Sequence, residues 1–146
     1  MESINITRIL YKCPNFENII ESLSQSELGN IIFQKFQELH KKVQDITKDI
    51  TPIFNEKKYK ETIEILDRQN VLFYHPRIFL IQFIAAVKLN DDKMVKQYFK
   101  LLNRNLGNIF TFYKIQANDF KKIIQNIDNL DECMEKISDF LKNVGN

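Results

Sequence analysis

The sequence predicts an all-α protein, a compact array of antiparallel helical hairpins in one domain spanning residues 1–146. Three features carry that expectation. Residues 76–102, PRIFLIQFIAAVKLNDDKMVKQYFKLL, hold the longest apolar run in the chain, followed at once by an amphipathic one. Elsewhere apolar residues recur at steps of three and four, the period of a helix face, and strict alternation of apolar and polar residues is nearly absent. With three Gly and three Pro in 146 residues, there is little material for the tight turns that join strands.

A chain of this length suits one domain, because it buries roughly 70% of the surface that its unfolded form exposes. Its apolar and charged fractions, 44% and 27%, are those of a globular chain, so order is expected almost end to end. Cys13 and Cys133 form no CxxC pair, and Glu2 and Asn5 interrupt any apolar run at the N-terminus. Both features point to a reducing compartment, most simply the cytoplasm. The apolar run at 78–87 falls well short of the roughly 20 residues that cross a bilayer, and no apolar tail follows Leu141. That run reads as a core helix, and no membrane partner is expected.

The organisation expected is N-terminal helices over 1–56, hairpins over 57–130 and a last helix over 131–146. Ile4, Ile6, Ile9 and Leu10 make a short helix stopped before Pro14, and Asn15 caps a second over 16–23. A long helix starts at Ser26-Glu27. Its Ile32, Phe36, Leu39, Val43, Ile46, Ile50 and Ile53 form a heptad seam of about three repeats, which suits packing within one domain better than between chains. Pro52 lies inside the seam and predicts a kink or restart near Thr51. Residues 57–72 form the next helix through Tyr59, Ile63 and Leu66 toward Phe73, and His75-Pro76 ends it.

The first arm of the central hairpin, 78–87, is apolar except at Gln82, so it is expected to be covered on most sides. Asn90 offers a left-handed C-cap, and Asp91 caps a second arm whose Val95, Tyr98, Phe99 and Leu102 face the core. Asn103 to Gly107 reads as a turn, and Ile109, Phe110, Phe112 and Tyr113 as an aromatic helix. Asn118-Asp119 reads as a cap for 120–127. Residues 128–131 open a last helix with Leu130, Met134, Ile137, Leu141 and Val144, which brings the expected total to about eight or nine helices.

Four of these helices begin alike, at Asn15-Phe16, Lys58-Tyr59, Asp91-Asp92 and Asp119-Phe120, each with an aliphatic or Thr following at a fixed offset. The middle pair is about 33 residues apart, the period of a two-helix solenoid repeat. On these residues, with FNEKKYKETIE at 54–64 and KLNDDKMVKQYF at 88–99 as turn and second helix, the chain resembles tetratricopeptide repeats over about residues 43–130. It departs from that family at Asp49 and Gln82, where a large aliphatic is usual, and at Ile50 and Phe83, where a small residue lets the arms approach. The resemblance implies a concave surface that binds a peptide or helix of another protein. The mid-chain apolar helix entered through Arg77-Ile78 also resembles the central helix of the B-cell-lymphoma-type apoptosis-regulator fold, although only Arg77 of the Asn-Trp-Gly-Arg signature is present. This second resemblance implies a groove for an amphipathic helix.

Chemistry-bearing constellations are missing. Gly29, Gly107 and Gly145 stand alone, so no phosphate-cradling loop and no cofactor are expected. His40, beside Lys41 and Lys42, reads as a surface residue and His75 as a helix terminus, with no HExxH pattern for a metal. Cys13 and Cys133 read as small buried hydrophobes, and Asp131-Glu132 as first-turn residues that favour a helix dipole. The chain is therefore read as non-enzymatic.

Charge is unevenly placed. The overall balance is +2, but residues 93–122 carry seven Lys or Arg against Asp119 alone, a net of +6, whereas 123–146 carry two against five, a net of −3. Lys93, Lys96, Lys100 and Arg104 recur at steps of three and four along one side of the second arm, opposite its apolar stripe. A solvated helix face explains them most simply; as a partner site they would meet an acidic segment. Nucleic-acid or ribosome binding through the same stretch has no aromatic-interleaved motif to support it. The function expected is an interaction module, an adaptor or small subunit of a larger assembly, that binds another protein through an apolar groove or that protein's acidic segment.

Overall fold

The computed structural model describes residues 27–69 and 75–144. Among them the chain is all-helical, in seven helices: α1 (Glu27–Asn55), α2 (Tyr59–Asp67), α3 (Pro76–Leu89), α4 (Asp92–Asn105), α5 (Ile109–Phe112), α6 (Ala117–Ile124) and α7 (Leu130–Asn143). The expected helices over 1–12 and 16–23, Cys13, Phe73, and the side chains of Ile32 and Phe36 lie outside the described residues.

The helix α3 is the hub, and local chemistry sets both of its ends. Pro76 occupies its first turn, where a missing N–H removes no intrahelical bond, and His75 caps it by accepting the Arg77 N–H on Nδ1 at 3.1 Å. Asn90 ends it at a left-handed φ of 56°. There the Asn90 and Asp91 N–H groups close onto the Val87 and Ala86 carbonyls. Asp91 then starts α4 by accepting the Met94 N–H on Oδ1 at 3.1 Å. The hairpin expected between the two arms is present with both caps in place. Every residue from Arg77 to Val87 is buried.

Four boundaries differ from those the residues suggested. Of the kink or restart expected near Thr51, the restart does not occur: the helix α1 continues through Pro52 to Asn55. The proline sits in the last turn, where it displaces a single bond, and the Lys57 and Lys58 N–H groups then close the end onto Phe54 and Ile53. The helix α2 stops at Asp67 rather than near Leu72. Asn103 is helical and not part of a turn; α4 runs to Asn105 and closes at Gly107, whose φ of 70° is the left-handed conformation that glycine adopts without strain. The helix α6 spans Ala117–Ile124 rather than 120–127, because Gln116 and Asp119 form a reciprocal capping box one turn earlier.

The hub packs most extensively against its sequence neighbours α2 and α4, and also against α1 and α7, while α1 touches α7. A cluster of phenyl rings fills the space between α3, α4, α5, α6 and α7. Phe120 meets Phe110 at 5.2 Å, Phe140 at 5.6 Å, Phe83 at 6.0 Å and Phe99 at 6.2 Å between ring centroids. Edge-to-face pairs dominate, as the ring quadrupole favours. Phe83 is fully buried, whereas Phe99 is half-buried, its ring stacked on Phe110. Lys88 crosses from α3 to the end of α6, where its Nζ donates to the Ile124 and Gln125 carbonyls at 2.7 and 3.2 Å, a cation at the negative pole of that helix. No helix among the described residues is long and apolar enough to cross a membrane.

A candidate protein-docking groove

The end of α2, the first half of α3 and the second half of α4 enclose an open groove of about 900 Å³. Leu66, Ile78, Phe79 and Leu101 supply its apolar floor, and Asp67, Arg68 and Arg104 are the charged residues that line it. The hairpin geometry places them together: an antiparallel α3 and α4 bring Ile78 level with Leu101 and Gln82 level with Tyr98.

Polar residues in the groove wall are locked to one another. Gln82, buried on α3, donates from Nε2 to Asp67 Oδ1 at 2.6 Å and to the Ile63 carbonyl at 3.4 Å. The Tyr98 hydroxyl donates to the same carboxylate at 3.4 and 3.5 Å. Burial pushes the Tyr98 phenol up to about 12, and the Asp67 charge and hydrogen bond add to the shift. The phenol therefore keeps its proton at neutral pH and remains a donor. Asp67→Ala is expected to cost about 1–3 kcal/mol, because the Gln82 amide then stays buried with only its long bond to Ile63. An unchanged urea midpoint would contradict that assignment.

Lys93, Lys96, Lys100 and Arg104 all lie on α4 and are exposed. None of the four forms an ion pair among the described residues, where the ion pairs are Lys58–Glu56 and Lys121–Asp92. Of the four, Arg104 alone is among the residues that line the groove. Asp67, Arg68, Gln82 and Tyr98 were not among the expected site residues. Gln82, the one polar residue in the apolar run, was the available signal; its partner Asp67, 15 residues away on α2, left none.

The histidines correct one expectation. His40 is half-buried rather than a surface residue, because α1 lies over the start of α3 and brings its ring to 5.9 Å from that of His75. His75 is buried, and its pKa falls to about 3 through burial first, then the Arg77 guanidinium and His40. Arg77, also buried, donates from Nη1 to Thr47 Oγ1 of α1 at 3.4 Å. Cys133 is buried, and burial pushes its thiol up to about 11 while Sγ donates to the Ile127 carbonyl. It lacks the low pKa of a nucleophile. Among the described residues, no three His, Cys, Asp or Glu side chains gather as a metal site.

In comparisons with protein-family models, curated proteins and solved structures, nothing matches this chain.

Proposed function

We propose that this chain is a non-enzymatic protein–protein interaction module of the reducing cytoplasm, an adaptor or small subunit, whose tetratricopeptide-like hairpins hold a helix or peptide of a partner in the groove over α2, α3 and α4. The observation that carries this reading is the groove bounded by the end of α2, α3 and α4, where half-buried Leu101 lies beside the buried Leu66, Ile78 and Phe79. Grooves of this kind take an amphipathic helix by burying its apolar face, a recurring mode of peptide recognition. The contacts of α3 with α1 and α7 favour a second architecture, the apoptosis-regulator-like bundle, which uses a groove in the same manner.

The test is affinity purification from the native cell with the wild-type chain and a Leu101→Glu variant, which places a carboxylate on the half-buried groove floor. A partner enriched by the wild type and lost from the folded variant is expected. An identical set of partners from both would move the docking surface elsewhere, and turnover of a substrate by the purified chain would overturn the reading.

A further inference from the structure

We infer that the flank of α4 turned away from the groove, together with the exposed ring of Phe112 on α5, is a binding surface for single-stranded nucleic acid. It is separate from the groove and stands or falls independently of the docking reading.

The helical step sets out the cations. On α4 the groove takes Gln97, Tyr98, Leu101, Arg104 and Asn105, which leaves Lys96, Lys100 and Asn103 on the other flank. Lys96 and Lys100 are exposed, about 6 Å of rise apart. Neither forms an ion pair among the described residues. Where this flank begins, Lys121 of α6 meets Asp92 at 3.7 Å and adds a cation from a second helix. The neighbouring acids sit at helix starts: Asp91 caps α4 through the Met94 N–H, Asp119 caps α6 through the Gln116 N–H, and Asp92 has Lys121. Residues 91–122 carry seven Lys or Arg against these three, a net of +4.

At its other end the flank runs into an aromatic residue. Asn103 ties α5 to α4, its Oδ1 accepting the Phe110 N–H and its Nδ2 donating to Thr111 Oγ1, both at 2.8 Å. The chain enters α5 through left-handed Gly107 and Asn108 and leaves it through left-handed Lys114, a conformation that a Cβ disfavours. This turn presents Phe112 outward. At 73% exposure it is the most exposed large apolar side chain among the described residues, in a T-shaped pair with half-buried Tyr113 at 4.9 Å. Buried Phe110 already anchors the turn, so core packing does not account for a ring at position 112.

A row of cations that ends at an open ring matches what a single strand offers, a chain of phosphates and unpaired bases that stack on an aromatic side chain. A duplex keeps its bases stacked on one another and gives Phe112 no role. An acidic peptide would use the lysines and leave the ring idle. A membrane surface takes a whole apolar helix face, whereas Phe112 is the one large apolar side chain exposed on α4, α5 and α6.

The full chain is titrated by fluorescence polarisation against an unstructured 12-nucleotide RNA, the DNA of the same sequence, the RNA duplex and an oligo-glutamate of equal charge, and by co-sedimentation against anionic phospholipid vesicles. Saturable binding of a single strand is expected, at least about tenfold tighter than the duplex or oligo-glutamate and weakening from 50 to 500 mM salt. Phe112→Ala is expected to weaken it about tenfold at an unchanged salt slope, and Phe112→Trp to retain it. Lys96→Glu/Lys100→Glu is expected to weaken it and to reduce the salt slope by about 1.4, the loss of two phosphate contacts. Circular dichroism checks that each variant is folded. Equal affinity for single strand and duplex, or an unchanged affinity in folded Phe112→Ala, would show charge attraction without stacking and overturn the inference. Preference for oligo-glutamate or vesicles, or no binding at 50 mM salt, would also overturn it and leave the groove untouched.

Discussion

Phe83→Ala is expected to lower the stability of the chain by about 3–5 kcal/mol, the range for truncating a buried aromatic. Phe83 is fully buried on α3 and faces Phe99 at 5.9 Å and Phe120 at 6.0 Å, from two different helices. Its removal therefore leaves a cavity lined by rigid rings, and rings held by several helices relax little to fill it. Against a typical domain stability of about 5–15 kcal/mol, such a loss is a large fraction of the total. The measurement is guanidinium unfolding, with a lower midpoint at an unchanged slope. Phe112→Ala is the control: its side chain is 73% exposed on α5, and a change within about 0.5 kcal/mol is expected. Equal midpoints for Phe83→Ala and wild type would place Phe83 outside the core.

The second large effect comes from acid. His75 has a folded-state pKa of about 3 against 6.5 when free, so between those values the unfolded chain binds a proton that the folded chain refuses. Stability is therefore intact above pH 6.5 and falls as pH drops below it, by about 1.4 kcal/mol per unit from this residue, until about pH 3. Geometry gives the same sign. Nδ1 accepts the Arg77 N–H that caps α3, and a proton on that nitrogen breaks the cap beside a buried guanidinium. His75→Asn keeps a capping acceptor and removes the titration. The stability difference between wild type and this variant is expected to move by about 2 kcal/mol between pH 6.5 and 4.5, with the wild type losing ground. A constant difference across that range would mean that His75 titrates normally in the folded chain.

What the sequence shows well is whatever its neighbours decide. Asn90 and Asp91 read correctly as a left-handed cap and an N-cap because each acts within three residues of itself. The run from 78 to 87 was legible as enclosed because no polar stripe interrupts it. Boundaries failed where a competing local device was stronger: Gln116 with Asp119 started α6 earlier than Asn118 suggested, and Asn103 stayed helical while its side chain bonded the Phe110 N–H and Thr111. An apolar groove was expected, but which residues line it was not legible. Its wall joins Asp67 to Tyr98 across 31 positions, and Lys88 reaches Ile124 across 36. Contacts of that separation leave no periodic trace in a single chain. The four basic residues, in contrast, were found from the helical step alone, and the structure adds that Arg104 belongs to the groove.

The central claim is that everything else is organised around α3, and native-state hydrogen exchange tests it most directly. The amides of Leu80 to Val87 belong to residues that are buried and packed by helices on several sides. They are expected to be the slowest in the chain and to exchange only through global unfolding, so that their opening free energy equals the stability measured with denaturant. Exchange of these amides faster than those at the centre of α1 or α7 would show that α3 opens while the rest of the chain stays folded, and would contradict the account.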